Sequence, residues 1–138
     1  HIVSALIAEK EKKAKSQNIR CEINISTPGI NIDDFSITTI VGNLFDKAIQ
    51  ASSKCDHGWI RFALIQTGSY MNIVIENSYI ENIVEANGEF TSTKSDKLLP
   101  HGIGIKNVRK VVSDLNGQID FSYSNECFSV KVEIPNYN

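Results

Sequence analysis

Residues 34–54 read DFSITTIVGNLFDKAIQASSK, and residues 59–76 read WIRFALIQTGSYMNIVIE. The first stretch has helical period. Phe35, Ile40, Val41, Leu44, Phe45, Ala48 and Ile49 supply its apolar face, and Asp33 or Asp34 can cap its start. The second holds two apolar runs of strand length, Trp59–Gln66 and Tyr70–Glu76, on either side of Thr67-Gly68-Ser69. That spacing predicts an antiparallel hairpin. Between the two stretches Asp56-His57-Gly58 makes a turn. A long amphipathic helix that feeds directly into a hairpin must bury its stripe on the sheet face beside it.

Upstream, residues 1–17 predict a helix with Ile2, Leu6, Ile7 and Ala14 at helical spacing among lysines and glutamates. Ile19–Ser26 alternates. Ile19, Cys21, Ile23 and Ile25 point one way and Arg20, Glu22 and Asn24 the other, which predicts a half-buried strand ended by Thr27-Pro28-Gly29. Downstream, residues 78–102 are polar and aperiodic and carry Gly88, Pro100 and Gly102. A stretch of that length is usually a lid or disordered. Helical period returns from Gly104 to Asn116, with Ile105, Val108, Val111, Val112 and Leu115 on one face and Asn116-Gly117 as its end. Ile119–Tyr123 and Phe128–Ile134 form a last hairpin around Ser124-Asn125-Glu126. The order helix, strand, helix, hairpin, lid, helix, hairpin predicts an α+β two-layer sandwich. Its helices pack on one face of a mixed, mostly antiparallel sheet.

The 138 residues suit one domain, and a hydrophobic share of 41% is ordinary for a globular chain. The net charge of −2 leaves no electrostatic footprint for nucleic acid. Lys10, Lys12, Lys13 and Lys15 alternate with Glu9 and Glu11 and read as a solvated helix face. Cys21, Cys55 and Cys127 form no CxxC pair and suggest neither a zinc site nor a disulfide framework. Two are read as packed residues, and a cysteine nucleophile with His57 or His101 is the competing reading. No run approaches the roughly 20 apolar residues that span a bilayer.

Three clusters carry chemistry. In Asn43-Leu44-Phe45-Asp46-Lys47-Ala48-Ile49, positions 43, 47 and 50 share a helix face, so Asn43, Lys47 and Gln50 form a polar stripe. Taken alone, it reads as a solvent-facing stripe. In Ile75-Glu76-Asn77-Ser78 a strand ends in a polar pair, and an asparagine there offers a base edge both a donor and an acceptor. A plain Asn-Ser turn is the competing reading. In His101-Gly102-Ile103-Gly104-Ile105, glycines open a helix, where free N–H groups and the dipole favour phosphate. The segment lacks the lysine-serine ending of a P-loop and does not follow a strand.

In this order the clusters resemble the GHKL ATPase superfamily, and the resemblance covers nearly the whole chain. Asn43–Ser52 is similar to the N-box helix, Asn77-Ser78 to a shortened first glycine box, Phe90-Thr91-Ser92-Thr93-Lys94 to the lid, and Gly102-x-Gly104 to the second glycine box. Asp46, Asn77 and His101-Gly102 resemble most the branch of histidine kinases that includes the peptide-pheromone sensors.

The resemblance implies a Bergerat-type fold at residues 18–138. It implies that residues 1–17 are the linker from a phosphoacceptor domain, with the phosphoacceptor histidine upstream. It implies ATP and magnesium as cofactors, bound by Asn43, Asp46, Lys47, Asn77, Ser78, Thr93, Lys94, His101, Gly102, Ile103 and Gly104. Asn43 would orient phosphate or water and ligate the metal, Asn77 would read adenine, and Lys94 would steady phosphate from the lid. The implied enzyme is a protein histidine kinase that passes the γ-phosphate to the phosphoacceptor domain of the same receptor dimer, and onward to a response regulator. The domain would lie in the cytoplasm as part of a membrane-anchored homodimer used in quorum sensing.

One position departs from the pattern. The family's second N-box asparagine, a magnesium ligand, is here Lys47. A charged lysine has donors only and cannot ligate a metal, although it can meet phosphate directly. Lys47 therefore favours a second reading, a degenerate nucleotide-binding module that signals by contact. An anti-sigma-factor kinase is a third, against which the helix at residues 2–17 argues.

Overall fold

The computed structural model describes residues 1–80 and 103–137. Among the described residues, three helices, α1 (Ile2–Ser16), α2 (Asp34–Ser52) and α3 (Ile103–Asp114), cover one face of a five-stranded sheet. The strands are β1 (Arg20–Ser26), β2 (Trp59–Thr67), β3 (Tyr70–Ser78), β4 (Gln118–Ser124) and β5 (Cys127–Pro135). Their order across the sheet is β1-β2-β3-β5-β4. Only β1 and β2 run parallel, because α2 crosses over between them. The other neighbours are antiparallel. The predicted α+β sandwich with a mixed, mostly antiparallel sheet is the observed architecture.

Local chemistry sets the element ends. Asp33 caps α2, its carboxylate accepting the Ser36 N–H at 3.0 Å. Thr67 pairs with Tyr70, so the β2–β3 turn is the two residues Gly68-Ser69, and Gly68 takes the left-handed φ of 60° that a tight hairpin needs. At the end of α3 it is Asn116 that turns left-handed, with φ 59°. Gly117 is required there for room, since a Cβ would stand 2.6 Å from the Glu133 carbonyl oxygen.

The core lies between helices and sheet. Ile37, Ile40, Val41, Leu44, Phe45, Ala48 and Ile49 of α2 press on Ile60, Phe62 and Leu64 of β2 and Met71, Ile73 and Ile75 of β3. The Phe45 and Phe62 rings lie 5.5 Å apart. From α3, Ile105, Val108, Val111 and Val112 are buried, and Arg109 lies over the Phe121 ring of β4 at 4.7 Å. The opposite sheet face carries Arg61, stacked over Trp59 at 4.5 Å and 3.6 Å from Glu76.

Three apolar assignments change. Phe35 is 73% exposed, and Ile37 takes the place expected of it. Phe35 stands about 200° round α2 from Ile37, off the stripe that Ile37 opens and Ile40, Val41 and Leu44 continue. Ile2 is 52% exposed while its neighbour Val3 is buried. Ile25, near the end of edge strand β1, is also exposed. Among the described residues no helix is long and apolar enough to cross a membrane.

Candidate functional site

The polar stripe of α2 does not simply face solvent. Asn43 is half-buried where α2 meets the start of α3. Its Nδ2 donates to the Thr39 carbonyl at 2.8 Å. That bond holds the amide so that Oδ1 points to Gly104, where a Cβ would stand only 2.6 Å from it. Gly104 thus lets the α3 backbone approach an oxygen side chain directly. Asn43 and Gly104, 61 positions apart in the chain, come together at a helix start whose first N–H groups have no intrahelical partner.

Asn77 keeps the phase of Met71, Ile73 and Ile75, so it projects into the layer between sheet and helices. It is 3% exposed, and its Nδ2 donates to the Ser78 carbonyl at 2.9 Å. Both residues remain within β3, rather than forming the Asn-Ser turn that competes with this reading.

The Ser78 hydroxyl serves a structural link. It accepts the Trp59 N–H at 3.0 Å and lies 2.7 Å from the hydroxyl of Ser52, which reaches the Trp59 carbonyl at 3.3 Å. The Ser78 hydroxyl also lies 3.4 Å from the same carbonyl, so one hydroxyl donates to the other and the second donates to the Trp59 carbonyl. This ties the end of α2 to β2 and β3. Gly58 sits against the same point, since a Cβ there would meet Ser52 at 2.6 Å. Ser52 was not singled out in the sequence, although a hydroxyl one turn after Ala48 on an apolar face is a legible signal.

Asp46 and Lys47 turn elsewhere. The Oδ1 of Asp46 is buried and meets Lys10 of α1 at 2.8 Å and Lys13 at 3.8 Å, as charge pairs rather than aligned hydrogen bonds. Lys47 lines a groove of about 410 Å³ with Lys13, Gln17, Asp46, Ile49, Gln50 and Ser53. The basic run of α1, expected to be a solvated face, thus places one lysine against α2. Thr93, Lys94, His101 and Gly102 lie outside the described residues. Ile103 is described by its backbone, as the first residue of α3.

Burial pushes the Cys21 and Cys127 thiols up, reinforced at Cys21 by Glu11 and at Cys127 by Glu76. A raised thiol holds less thiolate, the form a nucleophile needs. Tyr79, just beyond β3, donates its hydroxyl to the Ser124 carbonyl at 3.2 Å, and burial raises its phenol. Among the described residues no group of three His, Cys, Asp or Glu could hold a metal. Asn43 Oδ1 is the oxygen at this contact that would suit a hard cation. That donor set fits an ion held mainly by phosphate and water.

No curated protein matches the chain. Solved structures do. The catalytic domain of histidine kinase ThkA, in a nucleotide-free form, superposes with TM-score 0.72 at 20% identity, over 98% of this chain and 94% of that one. The Acinetobacter baumannii histidine kinase AdeS gives 0.71 at 17% identity, over 99% of this chain and 66% of that one. Full-length ShkA, solved with AMPPNP, gives 0.69 at 14% identity, over 99% of this chain and 30% of its own. At these identities the likeness concerns the fold, which is that of histidine kinase catalytic domains. Residues 32–135 match the family model described as the GHKL domain. That span runs from the residue before the α2 cap to the last residue of β5 and contains Asn43, Asn77 and Gly104, so the chain belongs to the GHKL domain family.

Proposed function

We propose that this chain is the ATP-binding catalytic domain of a two-component sensor histidine kinase, passing the γ-phosphate of ATP to a histidine on a phosphoacceptor domain that precedes α1. The observation that carries the reading is the contact of Asn43 Oδ1 with the backbone at Gly104. It sets an oxygen ligand beside a helix N-terminus, where the dipole and free N–H groups favour phosphate. Phosphoryl transfer needs positioning and charge neutralisation more than covalent chemistry from the protein. In this reading Asn43 orients phosphate or water and ligates magnesium, which when bound neutralises phosphate charge. Asn77 reads the adenine edge, and Ser78 keeps the end of β3 in place. Thr93, Lys94, His101, Gly102 and Ile103 complete the phosphate side. Asp46, whose carboxylate is taken by α1, is assigned to holding α2 and not to nucleotide. The AMPPNP held by ShkA, a protein of the same fold over this chain, supports a nucleotide as ligand.

On this reading the domain belongs to the peptide-pheromone branch. It works in the cytoplasm as part of a membrane-anchored homodimer and hands phosphate to a response regulator. Lys47 favours a second reading, a degenerate module that binds nucleotide weakly and signals by contact, because a lysine cannot ligate magnesium. Calorimetric titration of ADP, with magnesium and with chelator, tests the first. Micromolar binding supports it, and no heat at millimolar ADP leaves the degenerate module.

A further inference from the structure

We propose that Lys10 is a positioning residue for the nucleotide site and acts through Asp46. The inference rests on the reading of that site given above. Contacts between α1 and α2 advance together: His1 with Asp34, Leu6 with Gly42, Lys10 with Asp46. The two helices therefore lie side by side and run in the same direction. Along that seam Lys10 differs from the other lysines of α1. Its side chain is 13% exposed, against 51% for Lys13 and 64% for Lys15. Its stem is packed between the helices and its ammonium ends on a carboxylate oxygen that water does not reach.

Asp46 sits in the same helical turn as Asn43 and Lys47. Asn43, the i−3 neighbour of Asp46 on the helix surface, meets α3 with no slack, since a single added carbon at Gly104 would collide with it. A shift or rotation of the turn by a few tenths of an ångström thus changes how Asn43 meets α3. Exposed ion pairs add little to stability. The role of this one is to set where α2 stands along α1, and through it the Asn43–Gly104 contact.

The test uses the 138-residue chain with three changes: Lys10→Met, which keeps the stem, Lys10→Arg, and the exchange Lys10→Asp with Asp46→Lys. Three readouts are taken: ADP affinity by calorimetry, the Asn43 side-chain and Gly104 backbone amide signals by NMR, and urea stability. Lys10→Met is expected to weaken ADP about fivefold or more, the scale of coupling between neighbouring groups. It should also shift both amide signals while moving the urea midpoint little. Lys10→Arg should keep wild-type affinity and signals, and the exchange should restore part of both. Unchanged amide signals in Lys10→Met, whatever happens to stability, overturn the proposal, as does unchanged affinity. If the unaltered chain binds no ADP, the kinase reading fails by itself, and the amide signals still decide whether Lys10 positions Asn43.

Discussion

Replacing Gly104 with alanine should separate stability from nucleotide binding. The backbone permits alanine, because Gly104 is not among the residues with positive φ. The obstacle is local. The new Cβ would stand 2.6 Å from Asn43 Oδ1, 0.4 Å inside the 3.0 Å that real Cβ contacts respect. The cheapest relief is rotation of the Asn43 amide, which breaks its 2.8 Å bond to the Thr39 carbonyl. One such bond contributes about 1 kcal/mol. Alanine in place of a helical glycine returns roughly 0.5–1 kcal/mol, toward the lower end this near a helix start. The two nearly cancel, so the net change should stay within about 1 kcal/mol, or roughly 3–4 °C in Tm for a chain of this length. Binding has no such compensation, since rotation removes Oδ1 from the phosphate side and the methyl fills the approach. ADP affinity should fall more than about tenfold, or 1.4 kcal/mol. Differential scanning fluorimetry and calorimetric titration of ADP, on the same sample, read both quantities. An ADP affinity within twofold of the unaltered chain would refute the placement of the nucleotide at this contact. So would a loss of binding that appears only with a collapse in Tm, because the defect would then be unfolding.

Four further outcomes follow from particular contacts. Ser78→Ala removes the acceptor of the part-buried Trp59 N–H and should cost about 1 kcal/mol in urea unfolding, read from Trp59 fluorescence. Asn136 is 2% exposed and bonds Asn31 N–H at 2.8 Å, the Gly29 carbonyl at 3.0 Å and Gln66 Oε1 at 2.8 Å. Asn136→Ala should cost about 2 kcal/mol and speed amide exchange at residues 27–32, whereas unchanged exchange there would show that the loop is held by other means. The hydrogen bond to Ser36 holds the Asp33 carboxyl below its ordinary value of 3.8. Its stabilising effect is therefore complete above that value and lost as pH falls through the lowered one. Asp33→Asn keeps a cap without a titrating group, so the Tm advantage of the natural chain over it should shrink on acidification, and an advantage constant from pH 6 to pH 3 would contradict the assignment. Lys47 lines the groove beside α1 and not the Asn43–Gly104 contact, so Lys47→Asn should leave the magnesium dependence of ADP binding as it is, and a stronger dependence in the altered form would show that Lys47 reaches the phosphates.

The elements themselves were legible because their signals are local. Alternation at residues 59–76, the helical stripe of 34–54, and Gly68 and Asn116 at turns all act within a few residues, and hairpins pair neighbours in sequence. The order of the clusters at Asn43, Asn77 and Gly104 pointed to the family on the same grounds. Facing and partnership were not legible, because they depend on which element packs where. Phe35 and Ile37 are both apolar but lie on nearly opposite sides of α2, and the packing of that helix buries Ile37. Nothing near Ser78 in the sequence announces that its hydroxyl meets Trp59 and Ser52, brought to it by β2 and α2. Asp46 and Asn43 lie three residues apart and read alike as polar N-box positions. Packing turns one toward Lys10 of α1 and the other toward Gly104 of α3. A helix places polar residues on faces by its period alone, but what meets each face is set by neighbours far away in the chain.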